Sequence, residues 1–98
     1  MITLDDLDYY ITNVYFNKKV YHNISNKEIN NLTINHYVSI NCIRENNVEY
    51  IVFDDDSNYM FKIADIEVIY IDDLYPPREG DDSKILRPKD LYPLVYDN

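Results

Sequence analysis

The 98-residue chain contains a single glycine, Gly80, and that scarcity removes a large class of chemistry. Phosphate-cradling loops and the strand-to-helix elbow of serine hydrolases each need several glycines where the backbone turns sharply or approaches a ligand. Nucleotide-handling motifs are therefore absent. Cysteine is as scarce: Cys42 stands alone, so no internal disulfide can form, and this usage fits a reducing, cytoplasmic compartment. The only other soft ligands are His22 and His36, with no metal-binding spacing among the three, so neither a metal nor a cofactor is expected. Long apolar runs are missing too, against the roughly 20 residues that cross a bilayer. The opening residues 1–6 show no basic segment followed by an apolar one, so no export signal is expected there. Without export, the glycosylation patterns at Asn23-Ile24-Ser25 and Asn31-Leu32-Thr33 read as chance.

Positive charge is the other thing the chain has little of. Nine Lys and Arg face 18 Asp and Glu, a net charge of −9. Such a balance repels nucleic acid and anionic membranes and favours a basic partner through long-range attraction. Tyrosine is abundant, with 11 copies. Two sources fit: an AT-rich genome, or selection of a large, stiff, amphipathic ring for an interface. At this length one domain with one core is expected.

Periodicity predicts an α+β fold, with two N-terminal helices packed on an antiparallel β-meander of four to five strands. Leu4, Leu7, Ile11 and Val14 recur at helical spacing, with Thr3 and Asp6 placed to cap a helix over about residues 4–15. Ser25 and Glu28 fit a capping box, and Ile24 and Ile29 a hydrophobic staple, predicting a second helix over about 26–32. From Tyr37 the period becomes two, with Val38, Ile40 and Cys42 on one face. Strands are predicted to about residue 43, at 48–53, at 59–64 and at 66–71, joined by turns at 45–47 and 54–58. Such short connections imply antiparallel neighbours. The prolines, Gly80 and the acids of 76–88 predict a long loop, and Pro93 restricts 91–96 to an edge strand.

No catalytic constellation emerges. Cys42 shares a face with Val38 and Ile40 and reads as a buried structural cysteine rather than a nucleophile paired with His36; His22 reads as a surface residue. Asp54, Asp55 and Asp56 resemble half of a calcium loop but lack its central glycine and closing glutamate, so they read as a solvated turn. The chain is expected not to be an enzyme.

Charge concentration is the strongest functional feature. Residues 54–75 hold Asp54, Asp55, Asp56, Asp65, Glu67, Asp72 and Asp73 against one base, Lys62, which is −6 of the total −9. On strands about 4.8 Å apart, such carboxylates fall at spacings comparable with backbone phosphates. Tyr59, Tyr70 and Tyr75 interleave with them and could supply desolvated anchors, because exposed charge pairs alone contribute little. The expected partner surface is therefore Asp54, Asp55, Asp56, Tyr59, Asp65, Glu67, Tyr70, Asp72 and Asp73. An acidic face that serves only solubility is the plainer alternative.

The run Leu7-Asp8-Tyr9-Tyr10-Ile11-Thr12-Asn13, followed by Val14-Tyr15-Phe16-Asn17 and later by His36-Tyr37-Val38, resembles the staphylococcal-type uracil-DNA glycosylase inhibitors. These are small acidic DNA-mimic proteins, and the resemblance covers roughly the first 40 residues. That family carries a Glu-Ser-Ile segment that enters the enzyme's cleft, whereas the counterpart here, Asn23-Ile24-Ser25, lacks the glutamate. The resemblance implies a DNA-mimic inhibitor whose partner is a basic DNA-binding enzyme, uracil-DNA glycosylase first, with an apolar pocket for a protruding enzyme side chain. An anti-CRISPR or anti-restriction inhibitor of a nuclease, encoded by a phage or mobile element, is the second expectation, and a non-mimic adaptor module the alternative from another class.

Overall fold

The computed structural model describes residues 9–72 and 84–97, and these form two four-stranded sheets rather than a helical layer on a meander. The first sheet has the order β2-β1-β6-β7, where β1 is Tyr9–His22, β2 Lys27–Val38, β6 Ile66–Asp72 and β7 Lys84–Leu86. The second has the order β5-β4-β3-β8, with β3 Ile40–Glu45, β4 Val48–Phe53, β5 Met60–Lys62 and β8 Tyr96–Asp97. All pairings are antiparallel except β3 with β8, which run parallel. The α-helix of the described residues is one turn, α1, Pro88–Leu91.

Both predicted helices are thus replaced by the long β1–β2 hairpin, and the reason is a change of phase within β1. Opposite Ile71 and Tyr70 of β6 stand Ile11 and Asn13, so Thr12 is an extra residue, a β-bulge. The bulge lets Ile11 and Val14, three apart, both face the core at 0 % exposure. That spacing imitates a helix turn. Tyr9, Tyr10, Ile11, Thr12, Val14, Tyr15 and Phe16 are β-branched or aromatic and favour the pleated, half-buried surface they occupy. Ser25 and Glu28 likewise make no capping box: Ser25 lies in the hairpin turn, its hydroxyl 3.4 Å from His22 Nδ1, and Glu28 is a strand residue opposite Tyr21. Leu4, Leu7, Thr3 and Asp6 lie outside the described residues.

Of the later strands, those predicted at 48–53 and 66–71 match β4 and β6, whereas the strand predicted from Tyr37 to about residue 43 is divided at Ser39 between β2 and β3, and the one predicted at 59–64 shrinks to Met60–Lys62 between two 3-10 turns. Asn46 and Asn47, both left-handed with φ of 53° and 65°, join β3 to β4 in the two-residue turn whose twist suits a hairpin. The meander then breaks. After β5 a 3-10 turn, Ile63–Asp65, carries the chain into the other sheet, where β6 pairs with β1 instead of β5. The strand β2–β3 also changes sheet, bending at Ser39. Strands that switch sheets at such corners enclose one shared core. Ile11, Val14, Phe53, Ile63, Ile66, Ile69 and Leu86 fill it, and Leu91 of α1 closes one end. The predicted edge strand at 91–96 is instead the end of α1, a 3-10 turn at Tyr92–Leu94 and the short β8. Of the predicted 76–88 loop, residues 76–83 lie outside the described set, while Lys84–Leu86 is strand.

Cys42 is 2 % exposed, and burial pushes its thiol up to about 11 from the ordinary 9.0. Between these values the unfolded chain releases a proton that the folded chain keeps, so stability falls as pH rises through that window. The advantage of the parent over Cys42→Ala should therefore shrink by up to about 2–3 kcal/mol between roughly pH 9 and 11. Denaturant unfolding of both proteins checks this, since lysines and tyrosines titrate in each. A constant difference would mean the thiol is not so enclosed.

Candidate functional site

Between the end of β2 and the segment that follows β4, which belong to different sheets, a cleft of about 160 Å³ opens. One wall is the end of β2, with Thr33, Ile34 and His36; the other is Asp54, Asp56 and Tyr59. Val38 and Phe53, exposed by only 2 % and 1 %, make an apolar floor. The cleft is thus acidic at the rim and apolar at the base.

The 54–56 segment is a tight, defined turn. Asp54 and Asp55 are left-handed, with φ of 59° and 52°, and the Asp56 N–H donates to Phe53 C=O at 3.1 Å. Asp and Asn reach this conformation more readily than other side chains because their short polar groups bond locally. The Asp54 N–H donates to Ser39 C=O at 2.8 Å, fixing the turn to the corner. Asp56 caps the 3-10 turn Ser57–Tyr59: its Oδ1 accepts the Asn58 N–H at 2.9 Å. Tyr59 is half-buried, packed on the core and set edge-on to His22 at 5.3 Å between ring centroids. Asn23 Nδ2 donates to Ser57 C=O at 3.0 Å, so the tip of the β1–β2 hairpin is tied across the same turn.

His36 is held by its own strand. Its Nδ1 lies 2.8 Å from Ile34 C=O, and because a carbonyl only accepts, Nδ1 carries the hydrogen. In the neutral ring Nε2 is then left as an acceptor. Cys42 takes no part: it is buried, and its raised pKa keeps the thiol uncharged near neutral pH. His22 differs from its predicted place at the surface, for it is partly buried with Nε2 enclosed and without a hydrogen-bond partner.

The structure divides the acidic segment among separate places. Asp54, Asp56 and Tyr59 meet at the cleft, with Asp55 exposed at the turn tip. Asp65 belongs to the other corner, where Lys18 Nζ lies 3.0 Å from its carboxylate and its side chain is only 14 % exposed. It is neutralised in place. Glu67 is the extra residue of a second bulge, between Ile66 and Val68 opposite Phe16 and Tyr15, and is thrown outward. Tyr70 lies on β6 with its ring edge-on to Tyr15 at 5.6 Å. Asp72 ends β6 opposite Tyr10, and Asp73 and Tyr75 lie outside the described residues. Thr33, Ile34 and His36 were not among the predicted site residues; they reach the cleft only because β2 is a strand. Among the described residues no three His, Cys, Asp or Glu side chains converge as a metal site, and no helix is long and apolar enough to cross a membrane.

The backbone at Asp55 generates a test of the turn. Asp55→Asn should leave the unfolding midpoint nearly unchanged, whereas Asp55→Val should cost about 1–2 kcal/mol, because a β-branched side chain is disfavoured at positive φ. Thermal and denaturant unfolding of the two variants measure the difference; equal stability would mean the turn is not held left-handed. Comparison of the chain with protein-family models, curated proteins and solved structures finds no match.

Proposed function

We propose that this chain is a non-catalytic, cytoplasmic inhibitor that binds a basic DNA-handling enzyme by occupying the path of its DNA. The observation that carries the reading is the fixed acidic turn at the rim of the cleft. Asp54 and Asp55 are exposed and hold no ion pair among the described residues, and the turn beneath them is fixed by backbone bonds. Carboxylates carried on a fixed backbone turn have less conformational freedom to lose on meeting a basic groove than those of a loose loop. The net charge of −9 extends their attraction over long range. Uracil-DNA glycosylase is the first target to assay, from the resemblance of the N-terminal run, and a nuclease of a restriction or CRISPR system the second. Asp65, paired with Lys18, contributes little to such a surface.

The Tyr15–Tyr70 pair favours a second use of the molecule. With Ile85, which stands opposite Tyr70 on β7 and is 41 % exposed, it forms an aromatic and aliphatic patch suited to an adaptor that binds without imitating DNA.

Binding kinetics against purified uracil-DNA glycosylase at two salt concentrations separate the readings. Replacing Asp54, Asp55 and Asp56 together by asparagine keeps a residue suited to left-handed backbone and to capping, so the fold should persist. Association should slow, and the deficit should shrink at high salt, where a Debye length of about 8 Å at 0.15 M becomes shorter still. Tyr70→Ala should instead hasten dissociation if its ring is an anchor. A triple variant that binds and inhibits like the parent at low salt would remove the turn from the interface. Binding by the parent to neither the glycosylase nor a DNA-cleaving enzyme would leave the adaptor.

A further inference from the structure

We infer that the cleft between the end of β2 and the 54–59 segment is a socket for one arginine side chain of a protein partner. The inference rests on the reading that the partner is a basic protein, and it names what that partner inserts. Size comes first. At about 160 Å³ the cleft is well below the roughly 300–1,000 Å³ of sites that enclose a cofactor or drug-sized molecule. A single long side chain is the matching guest.

Chemistry then selects which one. Asp54, Asp56 and His36 line the opening. Asp56 spends one carboxylate oxygen on the Asn58 N–H, and His36 spends Nδ1 on the Ile34 carbonyl, so the remaining carboxylate oxygens and Nε2 of the neutral imidazole are acceptors without a partner of their own strand or turn. No cation of the described residues pairs with Asp54 or Asp56; the ion pairs there are Lys18 with Asp65 and Arg44 with Glu49. A guest must therefore be positive and rich in donors. An ammonium has three N–H groups on a compact centre, whereas a guanidinium has five in a planar fork that matches carboxylates and can lie on an aromatic face such as Tyr59. Beneath the rim, Val38, Phe53 and Ile34 give an apolar base along which the methylene stem can lie. A neutral or anionic guest would leave the two carboxylates facing a desolvated neighbour.

The test uses the whole chain alone, without any enzyme, so that its failure is distinct from failure of the inhibitor reading. Backbone amide spectra are followed during titration, at low salt, with capped arginine amide, capped lysine amide and capped citrulline amide, the last a neutral isostere of arginine. The arginine probe should move the signals of His36, Asp54 and Tyr59, with a dissociation constant on the order of millimolar, as suits one side chain. Lysine should bind more weakly, and citrulline should leave those signals in place. Asp54→Asn with Asp56→Asn should weaken the arginine probe by at least about fivefold, the loss of one or two charge-assisted bonds. Equal effects of citrulline and arginine, or shifts confined to other parts of the chain, would overturn the socket. Lysine binding as well as arginine would overturn the choice of guest, and free arginine binding far more tightly than its capped form would overturn a protein source.

Discussion

The bond from the Asp54 N–H to the Ser39 carbonyl, 2.8 Å long, holds the corner on which the cleft depends. A strand that passes from one sheet to another must abandon its ladder where it bends, and each backbone group so released needs a new partner. Here the strand β2–β3 bends at Ser39, and the neighbouring chain answers by turning sharply at Asp54. The two departures are joined by one backbone bond. Beneath it Val38 and Phe53 stay side by side, and above it the 54–56 turn cannot swing away. Cleft floor and acidic rim are thus two sides of one solution to a backbone problem.

The other corner is built differently and shows why charge density alone does not define a surface. The 3-10 turn Ile63–Asp65 is fixed from outside by β1, through Asn17 Nδ2 to Ala64 C=O at 3.0 Å and through Lys18 to Asp65. Its carboxylate is spent on the fold. Acids of one sequence segment therefore separate into Asp54 and Asp55, without an ion pair among the described residues, at one corner and the paired Asp65 at the other. The sign of the charge is shared, but its availability is not.

Much of the second half of the chain was legible because its signals are local. Asn46-Asn47 between apolar runs marks a hairpin, and Val38 and Cys42 are buried next to the exposed Tyr37 and Asn41. Asp54 to Asp56 could be placed in a turn from residue type alone. The first half misleads for an equally definite reason: the bulge at Thr12 spaces Ile11 and Val14 three apart, which the eye reads as a helix, while the β-branched and aromatic composition of the same run argues for a strand. Nothing within β6 reveals that it pairs with β1, since the partners, from Phe16 with Ile66 to Tyr10 with Asp72, are 50 to 62 positions apart and depend on the shared core. The same limit hides His36 and Ile34 from the cleft and Lys18 from Asp65. What was readable of the site is its turn; what was not is everything the turn faces.

The left-handed positions have a consequence for the chain before it folds. Asn26, Asn35, Asn46, Asn47, Asp54 and Asp55 all take positive φ, a role other proteins often give to glycine. Glycine would sit there with less strain, but it would also wander more widely in the denatured ensemble and lose that freedom on folding. Asparagine and aspartate exchange some native strain, about 1 kcal/mol each, for a narrower denatured state. The reversals of this chain are therefore biased before any long-range pairing forms. In a fold whose first sheet must wait for β6 to find β1, that early bias shortens the search.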